Sequence, residues 1–293
     1  MILTDLIGNT PLVELQHIPE NSQVKIFGKL EGQNPGGSVK DRAAFGMIKG
    51  ALDRGEIKPG DQLVEATSGN TGIALAMIAQ LLELRMTLLM PDNATTERIQ
   101  AMSAYGAQVI LTPAKQTIEY SREKAEAMAE TGDYFILNQF ANPDNYRMHY
   151  RTTGPEIWRD TDQAITHFVS AMGTTGTIMG VSRFLKEKNA KIQIVGTQPT
   201  DGSSIPGIRR WSPEFLPKIF ERERVDRIID VSETAASEMT RRLALEEGIL
   251  AGMSSGGALD AALHLSRELE EGLIVFIVCD RGDRYLSSDL FKQ

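Results

Sequence analysis

Residues 62–82 read QLVEATSGNTGIALAMIAQLL, and their pattern indicates the class of fold. A short apolar strand, 62–66, leads into a hydroxyl-rich turn, 67–72, and an apolar helix follows over 73–82. The same order of strand, Gly/Ser/Thr turn and helix recurs at 167–185 and 250–265. This alternation predicts parallel sheets with helices on both faces. Ligands of such sheets bind at the carboxyl ends of the strands, where these three turns lie.

The length of 293 residues suits two three-layer α/β lobes with mostly parallel sheets. Further apolar runs predict buried strands at 87–90, 108–111, 192–195 and 273–279. A polar break at 142–145 indicates the lobe boundary. We therefore predict a smaller lobe over 35–143, and a larger lobe that combines 1–34 with 144–293.

Composition excludes several classes of function. The net charge is −8 and the pI about 5.2, so nothing favours binding to nucleic acid or to an anionic membrane. The amino terminus lacks the basic start and apolar run of a signal peptide. The single cysteine, Cys279, excludes an intrachain disulfide, and the 4 histidines show no metal-ligand spacing. We expect a soluble cytoplasmic protein without a metal.

The turn Gly173-Thr174-Thr175-Gly176-Thr177 is typical of an anion site. Successive backbone N–H groups and three hydroxyls immediately precede a predicted helix, whose dipole favours a phosphate. The turn contains no lysine, so it is not a Walker loop, and the chain has no G-x-G-x-x-G fingerprint. The alternative is a tight strand-to-helix turn that binds no ligand.

Two further turns contain groups that could bind a cofactor or a substrate. Lys40 ends the glycine-rich segment 34–40, and a lysine amine there can form a Schiff base with a carbonyl compound. The turn 67–72 can hold a carboxylate at a helix start. The alternatives are a solvated loop lysine and ordinary helix capping.

Residues 252–256 formally match the G-x-S-x-G nucleophile elbow of α/β-hydrolases, with Ser254 as nucleophile. The only histidine after Ser254 is His264, in the same predicted helix, and Asp260 is the only acid between them. No triad geometry follows from this spacing. A Ser254 hydrolase is therefore a remote alternative, and a cofactor-loaded binding protein is another.

Taken together, the motifs resemble the cysteine synthase family of pyridoxal-phosphate enzymes, which share the tryptophan-synthase-β fold. The matching segments follow the family's order over nearly the whole chain: 7–12, 29–31, 38–42, 67–72, 173–177 and 252–256. Within that family, residues 203–211 and 279–287 resemble the B-type members. The resemblance implies pyridoxal 5'-phosphate in a cleft between two lobes. It also implies conversion of O-acetylserine and sulfide to L-cysteine through an α-aminoacrylate.

The resemblance also implies roles for individual residues. Lys40 would hold the cofactor and remove the substrate α-proton, Asn70 would contact the ring oxygen, and Ser254 would face the ring nitrogen. The cofactor phosphate would bind Gly173, Thr174, Thr175, Gly176 and Thr177. The substrate carboxylate would bind Thr67, Ser68, Thr71 and Gln139.

The B-type segments bear on the sulfur donor. Arg209 and Arg210, with Arg281 and Arg284, would supply positive charge, which implies use of thiosulfate to give S-sulfocysteine. The alternative to a role in binding is that these arginines form ion pairs with nearby acidic residues. Arg210 is the residue that an O-phosphoserine-using enzyme would need, and cystathionine β-synthase-like chemistry also stays open. The resemblance further implies a homodimer without a stable serine acetyltransferase complex.

Overall fold

The computed structural model describes residues 1–67 and 69–292. The strands, in chain order, are β1 (Leu12–Glu14), β2 (Val24–Leu30), β3 (Gln62–Ala66), β4 (Arg85–Pro91), β5 (Gln108–Thr112), β6 (Phe135–Ile136), β7 (His167–Ala171), β8 (Gln193–Pro199), β9 (Arg227–Val231) and β10 (Gly272–Val278).

The α-helices are α1 (Lys40–Asp53), α2 (Asn70–Leu81), α3 (Thr96–Ala104), α4 (Thr117–Glu130), α5 (Pro143–Arg151), α6 (Thr153–Asp160), α7 (Gly176–Lys188), α8 (Glu233–Glu247) and α9 (Met253–Glu268). Short 3₁₀ turns occupy Leu3–Leu6, Glu31–Gln33, Ala114–Gln116, Pro213–Phe215, Arg222–Arg224, Gly282–Tyr285 and Asp289–Phe291.

The chain divides into two units. Unit 1 comprises Met1–Ile7 and Lys40–Asn145, and unit 2 comprises Gly8–Val39 and Tyr146–Gln293. The sequence predicts a smaller lobe over 35–143 and a larger lobe that combines 1–34 with 144–293. These bounds stay a prediction.

Unit 1 contains a four-stranded parallel sheet in the order β5-β4-β3-β6. Adjacent residues of β3 face opposite sides: Leu63 packs with α1 and α2, and Val64 packs with Ala125 of α4. Both faces of the sheet are therefore covered, as a parallel sheet with near-continuous apolar strands requires.

Unit 2 contains a six-stranded sheet in the order β1-β2-β10-β7-β8-β9. Among the paired strands of this sheet, only β1 is antiparallel to its neighbour, and it lies at one edge. Phe276 of β10 packs with α8 and α9, whereas its neighbour Val275 packs with α6 and α7. The α/β architecture with parallel sheets predicted from the sequence is thus confirmed.

Two local predictions differ from the structure. Helix α2 begins at Asn70, earlier than the predicted start at 73, so Asn70 and Thr71 lie in its first turn. Residues 250–253 form no strand: Ala251 makes an isolated bridge with Arg281, and α9 begins at Met253. Among the described residues, no helix combines the length and apolar character that crossing a bilayer requires.

Candidate active site

Lys40 is the first residue of α1 and is half-buried. The segment before it is held within unit 2 by Asn34, whose amide oxygen accepts the Gly8 N–H at 2.8 Å. The Asn34 amide nitrogen donates to the buried Glu31 carboxylate at 2.9 Å. Gly37 has φ 81°, a left-handed conformation that favours glycine. Hydrogen bonds within unit 2 therefore hold the segment that precedes α1. Glu31 and Asn34 make these bonds, although the sequence predicts no role for either residue.

The residues after β3 lead to the amino terminus of α2, which begins at Asn70. Thr67 is buried at the end of β3, and Gly69 is the residue before the helix. The first N–H groups of a helix have no partner within it, so this end of α2 can receive an anion. Asn70 and Thr71 lie in the first helical turn. Ser68, which the sequence also assigns to this site, lies outside the described residues.

Gln139 meets this turn within unit 1. The Thr71 hydroxyl donates a 2.9 Å hydrogen bond to the side-chain oxygen of Gln139, and both residues are 4% exposed. Because the amide oxygen is engaged by Thr71, the amide nitrogen is the end of Gln139 that can donate to a carboxylate. The structure thus brings together two residues that are 68 positions apart in the chain.

A buried carboxylate supports the backbone of Gln139. Glu65 of β3 accepts the Asn138 N–H at 2.9 Å, and the Gln139 N–H also donates to it. Burial raises the pKa of Glu65 to about 7, although the two N–H groups and Arg122 act in the opposite direction. Glu65 is not among the predicted site residues, because a glutamate in a buried strand carries no motif. Its apolar neighbours, Val64 and Ala66, are the signal that indicates a buried carboxylate.

The turn 173–177 connects β7 to α7 in unit 2. Thr175 adopts a left-handed conformation with φ 69°, and α7 begins at the next residue, Gly176. The Gly176 N–H points at the Thr174 hydroxyl across 3.5 Å, and the Thr177 hydroxyl lies 3.3 Å from His149 Nε2. These residues form a loop of hydroxyl and N–H groups at a helix amino terminus.

The Thr175 hydroxyl is the polar atom that this loop leaves unsatisfied. It is buried, and it has no hydrogen-bond partner among residues 1–67 and 69–292. A buried hydroxyl without a partner costs roughly 1–3 kcal/mol. A phosphate oxygen placed in the loop would remove that cost.

Two residues beyond the motif shape the same loop. The Trp211 indole N–H donates to the Gly173 carbonyl at 2.9 Å. A Cβ on Gly173 would lie 2.7 Å from the Gly207 carbonyl oxygen, and a Cβ on Gly207 would lie 3.3 Å from that of Ser254. Gly207 therefore lies between the loop and Ser254.

Ser254 is buried in the first turn of α9. His264 lies ten residues further along the same helix, about 15 Å away at 1.5 Å per residue. Its ring is more than half exposed and lies 3.3 Å from Glu268. The geometry excludes a Ser254–His264 pair, and with it the hydrolase alternative.

Two arginines of the B-type segments, Arg210 and Arg281, have acidic partners. Arg210 donates to the Pro199 carbonyl at 2.8 Å and forms ion pairs with Asp201, at 3.2 Å, and with Asp230. Arg281 lies 3.6 Å from Asp283. Arg209 is exposed, and its backbone N–H donates to Met172. In the described part of the chain, no cluster of three His, Cys, Asp or Glu residues is arranged to hold a metal.

Comparison with known proteins gives matches over nearly the whole chain. Residues 3–280 match the family model described as pyridoxal-phosphate dependent enzyme. Cysteine synthase B of Salmonella typhimurium is 58% identical over 99% of this chain and 96% of its own length. Cysteine synthase B of Pseudomonas aeruginosa is 57% identical over 99% of this chain and 97% of its own length.

The likeness extends to solved structures. The crystal structure of cysteine synthase from Entamoeba histolytica superposes with a TM-score of 0.94 at 40% identity. The match covers 100% of this chain and 90% of that one.

Proposed function

This chain belongs to the cysteine synthase family of pyridoxal-phosphate dependent enzymes, and from that membership we propose that it makes L-cysteine from O-acetyl-L-serine and sulfide. The observation that carries the proposal is the full-length similarity to two bacterial proteins named cysteine synthase B. The reaction replaces acetate on the substrate Cβ with sulfur, after the α-proton has been removed.

The residues of unit 2 fit the cofactor's phosphate. The turn 173–177 offers N–H groups at the start of α7. The Thr175 hydroxyl, which has no partner in the described part of the chain, supplies a further donor. Pyridoxal phosphate, when bound, supplies the electron sink that lets the substrate lose its α-proton. We assign Gly173, Thr174, Thr175, Gly176 and Thr177 to the phosphate.

Lys40 is assigned two roles: it binds the cofactor covalently, and its amine removes the substrate α-proton. Asn70 would donate to the ring oxygen, and Ser254 would contact the ring nitrogen. A serine hydroxyl is neutral, so it would not hold a proton on that nitrogen as a carboxylate would. The Ser254 hydroxyl would thereby favour expulsion of the β-substituent as the α-proton leaves.

The substrate carboxylate is assigned to the start of α2, with Thr67, Ser68, Thr71 and Gln139. The support is the 2.9 Å bond from Thr71 to Gln139, which directs the Gln139 amide nitrogen away from Thr71. Helix N–H groups and an amide donor together match the two oxygens of a carboxylate.

The amino-acid substrate that accepts the sulfur is O-acetylserine rather than O-phosphoserine. A phosphoserine side chain needs a dedicated cation, and the Arg210 guanidinium is already shared between Asp201 and Asp230. We also propose that thiosulfate serves as a second sulfur donor, with Arg209, whose side chain is exposed, as the cation that attracts it. Arg209→Ala should then reduce the rate with thiosulfate and leave the rate with sulfide unchanged.

From the resemblance to the family, we propose a cytoplasmic homodimer that acts on small molecules and forms no stable complex with serine acetyltransferase. Sedimentation of the purified protein, alone and mixed with serine acetyltransferase, tests the homodimer and the absence of that complex.

A visible absorption spectrum tests the function itself. The protein loaded with pyridoxal phosphate should be yellow, its band should change when O-acetylserine is added, and the band should return when sulfide follows. Lys40→Ala should abolish the cycle. A protein that stays colourless when supplied with the cofactor contradicts the proposal, as does full activity in Lys40→Ala.

A further inference from the structure

Glu65 connects to the substrate-carboxylate residues through Gln139. Its carboxylate accepts the backbone N–H groups of Asn138 and Gln139, while the Gln139 side chain accepts the Thr71 hydroxyl. Glu65 lies in β3, and Thr71 lies in the first turn of α2. Gln139 is therefore held at its backbone by the strand β3 and at its side chain by the helix α2.

The backbone at Asn138 supports this contact. Asn138 is left-handed, with φ 54°, and its N–H and that of Gln139 both act on the Glu65 carboxyl. Successive N–H groups of this kind bind anions, and here the group they meet is a carboxyl of the protein. The Asn145 side chain donates to the Gln139 carbonyl at 2.8 Å, so the other side of the Gln139 peptide is fixed as well.

We propose that Glu65 is a positioning residue for substrate recognition: its carboxylate fixes the Asn138–Gln139 backbone so that the Gln139 amide faces the substrate carboxylate. This inference rests on the proposed role of Gln139 and Thr71 in binding O-acetylserine. Glu65 touches neither substrate nor cofactor, and it acts through Gln139.

The ionised form of Glu65 is the form that holds this backbone. A carboxylate accepts both N–H groups, whereas a protonated carboxyl carries its own donor and opposes one of them. The charged side chains that act on Glu65 are Arg122, which favours ionisation, and Glu126, which opposes it; both lie on α4. Since burial raises the pKa of Glu65 to about 7, the change of form occurs near neutral pH.

The test is the KM for O-acetylserine as a function of pH, with cofactor-loaded protein and saturating sulfide. Glu65→Gln keeps the size of the side chain but presents an N–H₂ group to one of the two backbone donors. We expect its KM to rise about tenfold above pH 8, with little change in kcat, because the lost interaction is one of binding. In the unmodified protein the KM should rise as pH falls through about 7, and in Glu65→Gln that rise should be absent.

Glu126→Gln is the matched variant, because it keeps the carboxylate of Glu65 and removes the opposing charge. It should move the rise in KM to lower pH, and it tests the same titration if Glu65→Gln fails to fold. At each pH, the KM of a variant is divided by the KM of the unmodified protein. This ratio cancels any effect of the titration of the substrate.

The outcomes separate the inference from the proposed function. Unmodified protein that does not react with O-acetylserine and sulfide overturns both. Normal turnover with the same KM profile in all three proteins overturns the role of Glu65 and leaves the proposed function intact.

Discussion

The indole N–H of Trp211 donates a 2.9 Å hydrogen bond to the carbonyl of Gly173, the first residue of the phosphate turn. Gly173 is also the residue at which a Cβ would lie 2.7 Å from the Gly207 carbonyl oxygen. The turn is therefore closed in on two sides by the segment 207–211, and its shape depends on that segment as much as on its own glycines.

Gly173→Ala should weaken pyridoxal phosphate binding more than tenfold. The added methyl group meets a backbone oxygen, which cannot rotate away as a side chain can, so the turn must move. Spectrophotometric titration of the cofactor-free protein measures the affinity. Gly132→Ala is the control: Gly132 is left-handed but has open space around it, so the change should lower stability by about 1 kcal/mol and leave cofactor affinity unchanged.

Thr175→Val should have opposite effects in the two states of the protein. Without cofactor, removal of a buried unpartnered hydroxyl should leave the free energy of unfolding unchanged or raise it by about 1 kcal/mol. With cofactor, loss of a donor to the phosphate should weaken binding by about tenfold. Denaturant unfolding with and without pyridoxal phosphate measures both.

Thr161→Val is the matched control for that experiment. The Thr161 hydroxyl is satisfied, since it donates to the Ile157 carbonyl at 2.8 Å. Its removal should lower stability by about 1 kcal/mol in both states and leave cofactor affinity unchanged. Equal effects of the two variants on stability and affinity would contradict the assignment of Thr175.

Thr71→Val should raise the KM for O-acetylserine about tenfold. The variant removes the donor that orients Gln139, which corresponds to about 1–1.5 kcal/mol. Steady-state kinetics at saturating sulfide provide the measurement. Thr112→Val makes the same chemical change at a buried hydroxyl bonded to Ser121 at 2.7 Å, and it should affect stability alone. A KM that responds equally to both changes would mean that Thr71 acts only on folding.

Glu65 should impose a pH dependence on stability. Its pKa is raised from 4.5 to about 7 in the folded protein, so the folded state binds more protons than the unfolded state in that window. The free energy of unfolding therefore falls as pH rises from 4.5 to about 7, by about 3 kcal/mol from this group.

Glu65→Gln lacks this titration. Urea unfolding across the window should give a shallower decline in the variant than in the unmodified protein. Parallel curves would show that Glu65 does not titrate there. The ionised form of Glu65 holds the Gln139 backbone, and the same form lowers the free energy of unfolding.

Much of the site was readable from the sequence because it is local. Each of the turns 67–72 and 173–177 joins a strand to a helix, and its hydroxyl and glycine residues are adjacent in the chain. Their position at a helix amino terminus follows from strand–turn–helix order alone, and the structure confirms that order at β3–α2 and β7–α7. The error at 250–253 has a physical origin too: four apolar or small residues are too few to distinguish a strand from an extended approach to a helix.

The fold class, the family and the turns with candidate binding residues therefore follow from local patterns in the sequence. The roles of the residues behind those turns depend on tertiary contacts. Glu65 and Gln139 meet because β3 and β6 are neighbours in the sheet, and Gly173, Gly207 and Trp211 meet because a long connection after β8 returns to the end of β7. Hydrogen bonds and steric contacts of this kind join residues far apart in the chain, so no local spacing records them.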